Sequence, residues 1–318
     1  MTALLSSIES ILPVLLIIAL GFVLQGRGWF SDQFGPNISR LILNVAMPAS
    51  IFVSVLSKLT LGDLASDLRS LLAGFGSVAL CYVIAFIVVK VLHVRPGRRG
   101  LMINMFANAN TIFVGMPLNI ALFGESSMQY YLMYYIVNTV STWTVGALLI
   151  LSDPINPAQG TEGTEKNVLN WKKLLPAPLV GFLVSLVFLV LAIPLPSFVT
   201  NTLSYVGELV TPLSLIYIGI VLNQAGLTSI RFDRDTIVAL VGRFLVAPLT
   251  MLVALRLVGI ASGTEYQTFM VQSAIAGLAV LPILANEGRG DVGYATNVVT
   301  TSTILFAVIV PVLMTIIG

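Results

Sequence analysis

The 318-residue sequence contains one cysteine, Cys81, and one histidine, His93. A lone cysteine excludes an intramolecular disulfide. One residue of each type also leaves nothing from which a Cys/His metal site or a histidine-based triad could be assembled. Charge is scarce as well: Asp, Glu, Lys and Arg make up 9% of the chain, against about a quarter in ordinary soluble domains. No Gly-x-x-x-x-Gly-Lys-Ser/Thr run is present to hold the phosphates of ATP. The polar stretches are too short for a soluble catalytic or signalling domain, so the sequence does not read as an enzyme, and no cofactor or metal is expected.

What fills the chain is apolar: 57% hydrophobic residues and a mean hydropathy of +0.98. Apolar stretches of about 20 residues recur along the whole length, the pattern of repeated helical spans rather than of a barrel. The expected fold is an all-α integral membrane protein of about ten transmembrane helices, over 8–25, 36–56, 70–93, 100–123, 128–151, 174–193, 199–223, 235–257, 265–286 and 291–317. The opening MTALLSSIES lacks the basic start of a secretory signal and no small-residue cleavage pattern follows, so the first span reads as retained. Cys81 reads as packing in the third span, and His93, between Lys90 and Arg95, as a solvated residue at a helix end.

Alternate loops differ in basic residues. One set holds Arg27, Arg40, Lys90, Arg95, Arg98, Arg99, Lys166, Lys172, Lys173, Arg231, Arg234 and Arg289; the other holds Lys58, Arg69 and Arg256. The positive-inside rule then makes the first set cytoplasmic and places both termini outside. Topology accounts for the net charge of +2, and no nucleic-acid partner is implied.

The polar segment 152–173 separates a first half, 1–151, from a second, 174–318. Five spans in each half force the halves into opposite orientations, an inverted repeat. Asn44 precedes Pro48 by four positions in span two, as Glu208 precedes Pro212 in span seven. Span four is expected to break at Gly115-Met116-Pro117 and span nine at Val280-Leu281-Pro282. Hydroxyl clusters follow in spans five and ten, at Ser141-Thr142 and Thr300-Thr301-Ser302-Thr303. Broken helices at equivalent positions of an inverted repeat bring half-helix ends together near the midplane, the arrangement of a transporter's binding site. Asn108, Asn110 and Gln272 lie just before the expected breaks, where amides can donate to a carboxylate without a permanent charge. Asn138 and Asn297 stand on spans five and ten, where they can line the cavity. Glu208 and Arg243 are read as ionisable residues inside spans, each costing about 2.5–3.5 kcal/mol at a helix centre. They can pair with each other or with backbone carbonyls; otherwise Arg243 binds a carboxylate and Glu208 takes up a coupled proton.

The run ANANTIFVGMPLNIALFGE, with ELVTPLSLIYIGIVL in span seven and LAVLPILANEGRGDVGYATNVVTTSTILFAVIVPVLM at the end, resembles the auxin efflux carrier family across the whole chain. The resemblance implies a bile-acid-symporter-like fold. In it, spans 1, 2, 6 and 7 form a scaffold that dimerises, and spans 3–5 and 8–10 form a transport domain with crossing broken helices that moves like an elevator. Lacking the long central loop of plant members, the chain looks more like bacterial malate- or malonate-permease-type carriers of the plasma membrane. By that likeness Asn110 and Asn138 contact the carboxylate. The expected function is secondary active transport of small organic anions, mono- or dicarboxylates, with H+ or Na+ as the coupled ion. A sodium-coupled symporter of the same fold is the alternative within transport, although AGLAVLPIL at the ninth-span break is poor in side-chain oxygen. A channel or scaffold protein is the alternative outside it.

Overall fold

The computed structural model describes residues 2–58, 68–155, 177–226 and 230–317. Most of the 152–173 segment falls outside the described residues. Among those described, helices dominate, and an isolated antiparallel bridge joins Ala109 to Gly277. In chain order the helices are α1 (Thr2–Gly26), α2 (Phe34–Ser57), α3 (Leu68–Val91), α4 (Arg99–Ala107), α5 (Thr111–Phe123) and α6 (Glu125–Leu151). They continue as α7 (Ala177–Val190), α8 (Ser197–Gln224), α9 (Arg234–Leu257), α10 (Gly263–Ser273), α11 (Leu281–Glu287) and α12 (Val292–Ile317). Six of them, α2, α3, α6, α8, α9 and α12, are each long and apolar enough to cross a bilayer. The expected fourth span is divided into α4 and α5, and the expected ninth into α10 and α11.

Four helices contain a widened π turn: Ile42–Ala46 in α2, Thr111–Gly115 in α5, Thr142–Gly146 in α6 and Gly242–Val246 in α9. In three of them a proline stands two residues further on, at Pro48, Pro117 and Pro248. A proline inside an α-helix donates no hydrogen bond, and its ring strikes the carbonyl four residues back. The N–H groups of Met47, Met116 and Ala247 reach back five residues, to Ile42, Thr111 and Gly242. The wide turn thereby moves the offending carbonyl aside, and the helix continues through the proline. This corrects the expected break at Gly115-Met116-Pro117: Gly115 and Pro117 lie inside the continuous helix α5, and the interruption is at 108–110.

α1 lies along α8, and the two approach so closely at Gly21 and Gly219 that a Cβ on either would meet the other helix's backbone. Small residues at a crossing give close backbone contact where hydrocarbon offers no hydrophobic drive for association. α2 packs on α7 and α8, whereas α3 is surrounded by α4, α6 and α9. Cys81 is buried at 2% exposure against the Thr250 hydroxyl, 3.0 Å away.

One end of the bundle carries an ion-pair network. Arg98 donates to Asp291 and Asp233, both at 2.7 Å, and to Asp235 at 3.2 Å, and it lies 4.5 Å over the Tyr294 ring. Arg95 reaches the same Asp291 oxygen at 2.9 Å. Burial raises the carboxyls of Asp233 and Asp291, but the Arg98 guanidinium and the N–H groups of Thr236 and Tyr294 outweigh it and hold both below the ordinary carboxylate range. The network ties together the starts of α4, α9 and α12.

Candidate functional site

α4 ends where Asn108 turns extended, at φ −117° and ψ 142°. Two residues later Asn110 opens α5, its Oδ1 accepting the Phe113 N–H at 3.2 Å as an N-cap. The second interruption runs from Ala274 to Val280, between α10 and α11, and Pro282 follows in the first turn of α11, where its missing N–H costs nothing. The two interruptions cross. Ala109 bridges Gly277, and the Asn110 N–H donates to the Ala276 carbonyl at 2.9 Å. A Cβ at Gly277 would press on the end of the Met105 side chain, which would have to move.

Backbone left unpaired by an interruption must find partners inside the membrane. Asn138 supplies them in the first half: its Oδ1 accepts the Ala109 N–H at 2.8 Å, and its Nδ2 donates to Ala109 O at 3.0 Å and Thr111 Oγ1 at 3.2 Å. In the second half Ser302 accepts the Gly277 N–H at 3.1 Å. Arg243, 1% exposed, serves both: Nη1 donates to Asn108 O at 2.7 Å and Nη2 to Ser273 O. These carbonyls close the C-terminal ends of α4 and α10, where the helix dipoles are negative. The arginine's charge is thus compensated by two helix ends instead of a carboxylate.

Against this frame a cavity of about 370 Å³ opens beside the crossover. Its polar lining is Asn44, Asn110, Thr111, Tyr135, Asn138, Thr139 and Thr142, and its apolar lining includes Ile112, Trp143, Leu278, Val280 and Ile283. Ala177, Pro178 and Glu287 line it too. With Oδ1 of Asn110 engaged by Phe113, its Nδ2 has no protein acceptor among the described residues. The Thr142 hydroxyl is likewise buried and unpartnered. The N-terminal end of α5, positive by its dipole, borders the same space.

The sequence-expected residues therefore separate. Asn110 and Asn138 line the cavity. Asn108 does not: Nδ2 donates to Tyr82 Oη at 2.9 Å and Asn104 Oδ1 at 2.8 Å, and Oδ1 accepts from Ser141 at 2.6 Å. Gln272 is buried against α5, donating to Gly115 O at 2.9 Å. Asn297 lies at the end of the bundle, bonded to the Arg231 backbone and to Thr236. Five residues further along α12, about 7.5 Å at helical rise, Ser302 occupies the crossover position expected of Asn297. Arg243 sits behind the crossover rather than on the cavity wall. Glu208 is exposed at the kink of α8, outside the cavity; of the two pairings considered, Arg243 takes backbone carbonyls rather than Glu208. Thr139, Thr142, Trp143 and Glu287 were not singled out as ligands, although 138, 139 and 142 share one face of α6 at helical spacing.

A helical protein with several membrane-length helices, two of its segments interrupted and crossing beside a polar cavity, has the make-up of a membrane transporter. Residues 6–314 match the family described as membrane transport protein, and the chain belongs to that family, the auxin efflux carrier family. It is 25% identical over 316 residues to an uncharacterized transporter of Methanothermobacter thermautotrophicus, covering 96% of each chain. It is 21% identical over 306 residues to one of Methanocaldococcus jannaschii, covering 95% of this chain and 96% of that one. The uncharacterized transporter YfdV of Escherichia coli is 24% identical over 164 residues, 51% of each chain.

Proposed function

We propose that the protein is a secondary active transporter of small organic anions whose carboxylate is held at the crossover. The observation that carries this reading is the Asn110 amide, fixed by its own cap so that its donor end is left for a ligand on the cavity wall. Thr142 and the N-terminus of α5 supply further donors beside it. The volume suits a small metabolite. Apart from Asn44 and Tyr135, the rest of the lining is apolar or acidic, so a second carboxylate would meet mainly groups such as Ile112, Trp143 or Glu287. Monocarboxylates with an apolar body are therefore favoured over malate and malonate. In this reading proton coupling is assigned to Glu287, which lines the cavity, rather than to Glu208, which does not.

In this reading the chain forms ten spans as two inverted five-helix repeats. α1, α2, α7 and α8 are the scaffold, and the helices around the crossover form a transport domain that moves as an elevator. Glu208, exposed midway along α8, supports a homodimer through that scaffold, since a carboxylate facing lipid costs about 2.5–3.5 kcal/mol. With the 152–173 segment assigned to the cytoplasm, a cavity lined by Ala177 and Pro178, a few residues beyond that segment, is read as inward-facing in the plasma membrane. Labelling tests the orientation: in a Cys81→Ser background, Gly163→Cys should resist an impermeant thiol reagent in intact cells, and rapid labelling would reverse the topology.

Uptake of labelled mono- and dicarboxylates into proteoliposomes, with proton, sodium and voltage gradients imposed separately, tests the function. Saturable uptake of an apolar monocarboxylate, weakly inhibited by malate, is expected. Asn110→Ala removes one neutral donor, worth about 0.5–1.5 kcal/mol, and should weaken apparent affinity about 2- to 13-fold. No uptake of any carboxylate under any gradient would sink the reading.

A further inference from the structure

A second cavity, of about 580 Å³, lies at the bundle end between α3, α4 and α6, away from the crossover. Lys90, His93 and Arg99 stand on it, with Phe86, Val89, Ile103 and Leu149 forming its apolar part. The basic side chains near this cavity differ in their partners. Arg95, Arg98 and Arg234 are ion-paired to Asp233, Asp235 and Asp291, whereas Lys90, His93 and Arg99 have no carboxylate partner among the described residues. Asp153 lies on the same cavity and accepts the Gly100 N–H at 3.2 Å; Lys90 and Arg99 outnumber this one acid.

Lys90, His93 and Arg99 are all exposed on this cavity, and two details bear on how they are held. Arg99 donates its Nε to the Val94 carbonyl at 2.7 Å, which restrains the side chain and leaves its Nη groups without a protein partner among the described residues. His93 has φ 50°, the left-handed conformation at the end of α3, with its N–H on Lys90 O and the Val94 N–H on Val89 O. Glycine serves that position without steric cost, whereas a histidine there costs about 1–2 kcal/mol. The left-handed turn sets the imidazole beside Lys90 and Arg99 on the same cavity.

The apolar part continues outward. Val83, Phe86 and Ile87 are exposed on α3, and Val145 and Leu148 on α6, so two apolar stripes descend along the membrane-facing surface from the cationic rim. Phosphate at one end and hydrocarbon below it is the chemistry of a phospholipid, and basic pockets between membrane helices bind anionic headgroups. We infer that this cavity binds an anionic phospholipid, its phosphate on Lys90, His93 and Arg99 and an acyl chain in the groove between α3 and α6. The site is independent of the transported anion.

Native mass spectrometry of the detergent-purified protein against an equimolar mixture of phosphatidylglycerol and phosphatidylcholine with the same chains tests it. Wild type should retain phosphatidylglycerol preferentially, and Lys90→Gln with Arg99→Gln should lower that preference about fivefold for each cation removed. His93→Gly, which relieves the backbone and keeps the fold, should lower it too. Arg27→Gln, at a distant cation, should leave it unchanged. Unaltered preference in the Lys90/Arg99 double variant, or an equal loss in Arg27→Gln, would overturn the site. Displacement of the lipid by millimolar inorganic phosphate would also overturn it, by making the ligand a soluble anion.

Discussion

Replacing Arg243 by alanine should destabilise the protein by about 2–6 kcal/mol. The side chain is the donor to Asn108 O and Ser273 O, and each buried carbonyl left unpaired costs about 1–3 kcal/mol. Because both carbonyls close half-helices that meet at the crossover, the loss should appear as a loosened site as well as a lower unfolding temperature. Arg243→Lys keeps the charge beside the two negative helix ends but replaces a planar fork by a single ammonium that cannot hold two separated carbonyls as well. It should recover part of the stability. Unfolding in detergent micelles, followed with substrate binding, separates these outcomes. Arg243→Ala unfolding at the wild-type temperature and binding normally would mean that the arginine does not hold the crossover.

The second large effect is expected at Asn138. Its amide imitates a neighbouring strand, accepting from and donating to the same residue, Ala109, and alanine would strip both partners from a peptide buried at the crossover. If restoring the native path of residues 108–110 then costs about 2 kcal/mol, the competent population falls about 30-fold, and uptake falls with it. Asn138→Asp should be worse for an anion: it still accepts the Ala109 N–H but cannot donate, and it places a negative charge on the cavity wall. Ser302→Ala removes one acceptor, that of the Gly277 N–H, and should be milder than either. Uptake rates of the three variants at matched protein insertion give the comparison. Asn138→Ala transporting at the wild-type rate would remove Asn138 from the site.

The apolar runs were legible because lipid demands continuous hydrophobic length, and α2, α3, α6, α8, α9 and α12 fall where that length was found. The position of the first interruption was misread. Pro117 looked like the break because a proline costs a hydrogen bond, but one wide turn absorbs that cost, whereas the actual break carries no proline. Its trace is Asn108-Ala109-Asn110, one amide on each side of a backbone that needs partners. Hydropathy could not show that Glu208 faces outward, since periodicity in an almost wholly apolar helix is too weak to orient one residue. Nor could it distinguish Asn297 from Ser302, because an asparagine and a serine in one helix are both plausible partners until the opposing loop is located.

Each π turn also carries one residue more than the α-helix it interrupts, which rotates everything beyond it by about 100°. In α9 the turn holds Arg243, so the phase of the first part of the helix does not carry through to the second. A helical wheel drawn from one end of α2, α6 or α9 to the other therefore assigns its far half to the wrong neighbours. The same arithmetic sets what these helices tolerate in descent. A single-residue deletion inside a wide turn restores ordinary winding and keeps both flanking faces in place, whereas the same deletion elsewhere turns half a helix away from its contacts. Length differences among relatives are thus expected to gather at 42–46, 111–115, 142–146 and 242–246, where the chain has a place to lose a residue.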